Sequence, residues 1–167
     1  METINRSIKE WNAIVEALGQ GKQSIIIRNY NPAHEDFLLY PTWSYSRRDG
    51  YLSKFKQESR EFVEKNALPK KVGEKTEIKY CAKVIKVIPT SINKINKYHI
   101  WDNNHVKEYI KQKKAKTWVL RVYRLKKPYI AEKNPAMIYA NLKNGINIED
   151  ATPVLTDLKF KGIIESL

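Results

Sequence analysis

The chain has 167 residues, 42% of them hydrophobic, and a formal net charge of +13 at pH 7. This composition excludes an intrinsically disordered polyelectrolyte, and no apolar run reaches the roughly 20 residues of a bilayer-spanning helix. A single cysteine, Cys81, excludes an intrachain disulfide and a cysteine-based zinc site, and Met1-Glu2-Thr3-Ile4-Asn5-Arg6 lacks the apolar stretch of a signal peptide, so a cytoplasmic protein with no membrane partner is expected.

From the N-terminus, Ser7-Ile8-Lys9-Glu10 has the spacing of a capping box, and Ile8, Trp11, Ile14, Val15 and Leu18 recur at helical intervals. A first helix is therefore expected to open at Ser7 and stop at Gly19 and Gly21. Ser24 to Tyr30 reads as a buried strand broken by Asn31-Pro32, and Phe37-Leu38-Leu39-Tyr40 as a second strand ended by Pro41. Residues 53–65 carry Phe55, Phe62 and Val63 on a narrow helical face, with Ser53 as the expected cap. Lys70-Lys71-Val72-Gly73-Glu74 is an expected turn. A long alternating strand follows, with Ile78, Tyr80, Ala82 and Val84 pointing one way and Glu77, Lys79 and Lys83 the other, and it stops at Pro89. Two short helices are expected over 91–97 and 104–113. Thr117 to Leu125 is a clear strand, Ala136 to Ala140 a last strand, and Thr152-Pro153 the start of a final helix. No internal repeat or low-complexity linker interrupts the chain, so a single domain over residues 1–167 is expected, of the α+β class, with a small twisted or closed, mostly antiparallel sheet and flanking helices.

The charge is segregated. Residues 1–50 carry 6 basic and 6 acidic side chains and residues 131–167 carry 4 and 5, whereas residues 51–130 carry 21 and 7. A segregated excess points to a polyanion, nucleic acid first. An acidic protein partner and a solvated face without a partner are the alternatives.

Several stretches together resemble the prokaryotic domain of unknown function 1802 family. They are Lys9-Glu10-Trp11 with Ala17-Leu18 and Gly21; Ile25-Ile26-Ile27-Arg28; His34 with Phe37-Leu38-Leu39-Tyr40-Pro41-Thr42; His99-Ile100-Trp101; and Val119 to Leu125. The sequence departs from the family where a His-Gln pair is usual after Pro41-Thr42, since Tyr45-Ser46 stands there, and Asn29-Tyr30 replaces a glycine-rich turn. The resemblance implies architecture and candidate positions, not an activity. The order of helix, Gly-Lys turn and strand ending in Arg28, followed by Lys71-Val72-Gly73 and a long strand, also resembles PUA-like and ASCH-type barrels, which implies a small β-barrel of a kind that often binds RNA or modified bases.

Three sets of residues are candidates for binding nucleic acid. Arg28, Tyr40, Thr42, Trp43, Tyr45, Arg47 and Arg48 combine aromatic faces, which stack on unpaired bases, with guanidinium groups, which clamp phosphate. His34, His99 and Trp101 are candidate pocket residues at the family positions. Lys79, Lys83, Lys86, Arg121 and Arg124 are cations on expected strands, and Lys111, Lys113, Lys114 and Lys116 form a second cluster at an expected helix end, where the helix dipole also favours cations. The bland reading assigns Tyr40 and Trp43 to the end of the core and the lysines to solvated faces. His34, His99 and His105 match no metal-binding spacing, so neither a metal nor a cofactor is expected. The alternative to a non-catalytic binder is a magnesium-dependent nuclease, in which Asp49 and Glu77 would hold the ion and Lys79 orient the attacking water. Gly19-Gln20-Gly21-Lys22-Gln23-Ser24 lacks phosphate-loop spacing and is a helix stop, and Cys81 is expected to be an inert core residue.

Overall fold

A computed structural model describes residues 2–73, 75–131 and 139–167. In chain order the elements are β1 (Thr3–Trp11), α1 (Asn12–Gly19), β2 (Ile25–Arg28), β3 (Asp36–Thr42), α2 (Arg60–Lys65), β4 (Lys71–Val72), β5 (Lys75–Ser91), α3 (Ile92–Ile95), α4 (Asn103–Ile110), β6 (Lys114–Ala131), β7 (Tyr139–Asn147), β8 (Thr152–Pro153) and α5 (Asp157–Ser166), with short 3₁₀ turns between β3 and α2 and after α3. The strands form one sheet in the order β2-β6-β5-β3-β1-β7, with β4 added to β5 and β8 to β6. Among the described residues only the β1–β3 pair is parallel, so the fold is α+β with a mostly antiparallel sheet. Among the described residues the path is open, with β2 and β7 at its ends. No helix among them is long and apolar enough to cross a membrane.

The sheet is buried on both faces. One cluster joins Ile8, Phe37, Leu39, Tyr80, Ala82, Trp118 and Leu120 to the helices through Ile14, Leu18, Ile95, Ile110 and Phe160. A second, built mostly from strand residues, holds Ile4, Leu38, Tyr40, Ile78, Cys81, Leu125 and Ile146. The run Phe37-Leu38-Leu39-Tyr40 is continuous rather than alternating because its odd and even positions enter different clusters. Cys81 lies in the second cluster, and burial pushes its thiol up to about 12, so it is a packed core residue as expected.

Several expected elements need correction. Ser7 to Glu10 do not cap a helix; they lie in β1, between β3 and β7, with Ser7 fully buried. An N-cap contributes about 1 kcal/mol, less than two ladders of backbone hydrogen bonds and the burial of Ile4 and Ile8. The helix begins at Asn12 and ends at Gly19, where a Cβ would lie 2.1 Å from Tyr80 Cζ; only glycine admits so close an approach. Gly21, at φ +75°, then turns the chain into β2. Pro41 does not end β3, because beyond Leu38 this strand pairs with β1 alone and a missing N–H on the other side costs nothing. Pro89 is likewise carried within β5.

Within residues 53–65 only Arg60–Lys65 is α-helical; Phe55 is extended and bridges Trp101, with Lys56 N donating to Ile100 O at 2.9 Å and Asp102 N donating to Lys54 O at 2.7 Å. The expected common face of Ile78, Tyr80, Ala82 and Val84 is broken at its start. Two residues of β5 span five of β6 between the pairs Ile78–Tyr129 and Tyr80–Arg124, and this bulge turns Ile78 into the second cluster. Thr152-Pro153 pairs with β6, and α5 starts later, with Thr156 Oγ1 accepting from Lys159 N at 3.2 Å. Of the expected strand Ala136 to Ala140, residues 136–138 lie outside the described residues, as does Glu74 of the expected turn; β7 runs from Tyr139.

Candidate nucleic-acid interface

The end of β1 and the end of β2 bring Glu10 and Arg28 together. Arg28 Nη2 donates to Glu10 Oε2 at 2.6 Å and Nη1 donates to Ile27 O at 2.9 Å, while Trp11 N donates to Glu10 Oε1 at 2.9 Å. Both side chains are about nine-tenths buried. Burial works against the charge on Arg28, but the pairing with Glu10 outweighs it and raises the guanidinium pKa above its ordinary value.

These two residues floor a cavity of about 250 Å³ lined by Lys9, Glu10, Trp11, Ile27, Arg28 and Tyr30 on the sheet side. Trp101 and the α4 residues His105, Val106 and Tyr109 close the other side. Asp102 fixes α4 by accepting from Asn104 N at 3.0 Å and His105 N at 3.4 Å. The Phe55–Trp101 bridge sets the indole at the start of that wall. Trp11 stacks on Tyr45 with centroids 4.7 Å apart and on His105 at 5.6 Å, and Lys54 Nζ lies 5.5 Å from its ring centroid. Burial first, and Lys54 second, lower the His105 pKa, which favours the neutral ring at neutral pH. Tyr109 remains 45% exposed at the mouth, the largest exposed aromatic surface of the lining.

Lys9 is a further cation in the cavity lining, and more cations stand next to the lining residues in the sheet and along the chain. Lys116 is the cross-strand partner of Arg28, which puts the two Cβ atoms about 5 Å apart on the same face of the sheet. Lys111 and Lys113, in the segment that joins α4 to β6, and Lys114, the first residue of β6, are exposed between Tyr109 and Lys116 in the chain. Lys111 takes the left-handed conformation that ends the helix, φ 56°.

The structure thus brings Arg28 and Trp101 into one cavity and disperses the other candidates. Tyr40 has no exposed surface and cannot stack on a base; it is a core ring. Thr42 is buried, its hydroxyl donating to Glu10 O at 3.1 Å, so it supports the cavity floor from behind. Tyr45 is a buried post whose hydroxyl donates to Ala67 O and accepts from Ala13 N, and burial pushes that hydroxyl up to about 12. His99 is buried beside Trp101, outside the cavity lining. Arg121 is buried against α5, with Nη2 donating to Leu155 O and Asp157 Oδ1, each at 2.8 Å. Trp43 is half-buried under Lys71 Nζ, 3.6 Å from its ring centroid.

His34, Arg47 and Arg48 are exposed on loops; Lys83 faces Glu2 at 3.8 Å, and Arg124 lies exposed over the Tyr80 ring. Of the nuclease set, Lys79 pairs with Glu16, Glu77 is buried with Lys70 as its ion-pair partner at 3.8 Å, and Asp49 is exposed in a turn. No group of three His, Cys, Asp or Glu side chains suited to a metal occurs among the described residues.

Sequence reasoning had not assigned Lys9, Glu10, Trp11, Tyr30, His105 or Tyr109 to a site. Their sequence pattern places Glu10 and Trp11 in the first turn of a helix, and only the pairing of β1 reveals that Glu10 meets Arg28 and that Trp11 lines the same cavity.

The description Domain of unknown function (DUF1802) matches residues 7–166 of this chain. No curated protein matches it. Among solved structures, ASCH from Zymomonas mobilis superposes with a TM-score of 0.49 at 12% identity, covering 96% of this chain and 93% of that one. A point mutant of that Zymomonas protein gives 0.48 at 11% identity, covering 96% of each chain.

Proposed function

This chain belongs to the family described as Domain of unknown function (DUF1802), and we propose that it is a non-catalytic module that binds RNA or unpaired DNA, with one unstacked base in the cavity and the phosphates on the lysines around its mouth. One observation carries the reading: one small cavity combines aromatic walls with a paired arginine and glutamate, and Lys9 shares its lining. Its volume of about 250 Å³ is below the roughly 300–1,000 Å³ of drug-sized pockets and suits one base better than a longer ligand. Trp101, Tyr30 and Tyr109 supply apolar surface for a heteroaromatic ring. Lys111, Lys113, Lys114 and Lys116 supply the sequence-independent attraction to the backbone, and the exposed Arg47, Arg48 and Arg124 extend the positive field.

Fluorescence anisotropy with labelled single-stranded RNA, single-stranded DNA and duplex DNA, without magnesium and across a salt series, tests this. The expected result is tighter binding of single strands, with log affinity falling linearly with log salt by about 0.7 per phosphate neutralised. Tyr109→Ala should weaken that binding without changing the slope. Failure of all three nucleic acids to bind at physiological salt would overturn the proposal and favour an acidic protein partner.

A further inference from the structure

Resting on the reading above, we infer that the Glu10–Arg28 pair makes the cavity selective for guanine. The pair is buried enough that a ligand's polar edge must be matched group by group, because an unpaired donor or acceptor in such a place cannot recover its bond to water. Glu10 uses one lone pair of Oε1 on Trp11 N–H and one of Oε2 on Arg28, and each carboxylate oxygen has capacity for a second bond. Arg28 has five N–H groups in a planar fork, with Nη2 turned to Glu10 and Nη1 to Ile27 O. Side by side on the cavity floor, guanidinium and carboxylate offer one donor followed by two acceptors.

Of the four bases, guanine alone carries the complement on its pairing edge: the O6 acceptor, then the N1–H and N2–H donors. Uracil and hypoxanthine carry the first acceptor and donor but no second donor. Adenine and cytosine set a ring-nitrogen lone pair against the carboxylate. The negative charge of Glu10 also disfavours phosphate in the cavity, which assigns the base to the inside and the backbone to the lysines at the mouth. A well-formed two-point hydrogen-bond match of this kind discriminates against the wrong base by roughly 5- to 150-fold.

The test uses oligoadenylate decamers with a single central guanosine, inosine, uridine or cytidine, or none, titrated against the full chain by anisotropy. The expected order is guanosine, then inosine and uridine, then cytidine and unsubstituted adenosine, with the guanosine-to-adenosine ratio in the range of roughly 5- to 150-fold. Glu10→Gln replaces one acceptor with an amide donor and should collapse that ratio toward one. The wild-type series, inosine against guanosine above all, decides the matter even where the variant folds poorly. Equal affinities of the five decamers, with Tyr109→Ala still weakening each of them, would overturn guanine selection and leave the base-binding cavity standing. Failure of every decamer to bind would overturn both.

Discussion

Replacing Arg28 with methionine tests the ion pair at the centre of the site. The change keeps a long unbranched side chain and removes the charge, the bonds to Glu10 and Ile27, and the guanidinium over Trp118, 5.9 Å from its ring. Glu10 is then left about nine-tenths buried with Trp11 N–H as its remaining hydrogen-bond donor. Breaking a buried pair by removing one partner typically costs about 3–5 kcal/mol. The adjoining cavity of about 250 Å³ is polar enough at Glu10 to admit water to the abandoned carboxylate, which places the expected loss near the lower end, about 3 kcal/mol. The double variant Glu10→Gln/Arg28→Met removes the stranded charge and should recover about 1 kcal/mol or more of that loss. Urea unfolding followed by tryptophan fluorescence at neutral pH, extrapolated linearly to water, measures both. A loss below about 1 kcal/mol for Arg28→Met, or a double variant less stable than the single one, would refute the view that Glu10 depends on Arg28 for its burial.

Two further perturbations probe the scaffold behind the cavity. Burial, reinforced by the neighbouring Lys56, lowers the His99 pKa to about 3, so the folded state declines a proton that the unfolded chain accepts. The resulting stability is complete above the unfolded value of about 6.5 and is lost as pH falls toward 3; between about pH 7.5 and pH 5 the loss is about 2 kcal/mol, and His99→Gln should remove that part of the pH dependence in urea titrations at the two pH values. Asp102→Ala removes the carboxylate that caps α4 and should cost about 1 kcal/mol, read as roughly fivefold faster hydrogen exchange of the α4 amides. Unchanged exchange would show that α4 is held by its buried Val106 and Ile110 alone.

Much of the architecture was legible in local signals. The strand Ile25–Arg28 follows from its apolar run, the long β5 and β6 from alternation, and the helix expected over 104–113 is α4, observed at Asn103–Ile110. The failures share a cause. Ser7 to Glu10 carry a real capping signal, yet β1 has partners on both sides, and no local pattern announces which segments will be flanked in that way. The bulge opposite Ile78 is set by the partner strand, so β5's own alternation does not reveal it.

The candidate site divides along the same line. Of its members, Arg28, the arginine ending an apolar strand, and Trp101 were legible as candidates, whereas the excess of cations over residues 51–130 pointed elsewhere than to the lining cations Lys9 and Arg28. The rest of its membership was not legible. Tyr40 and His99 share their residue types with Tyr109 and His105, but the first two are sealed in the interior and the second two line the cavity. The basic segment was counted as one feature, yet Arg121 serves α5 and Lys79 serves Glu16.

The sequence by itself determined the α+β class, the positions of β2, β3, β5 and β6 and the strongly positive net charge, because periodicity, turn chemistry and net charge are properties of the chain. Only the tertiary structure decided that Glu10, Arg28, Trp101 and Tyr109 meet. Their meeting depends on strand pairing across segments far apart in sequence and on the Phe55–Trp101 bridge, and it is long-range packing that decides which of several chemically equivalent side chains faces a cavity and which is spent in the core.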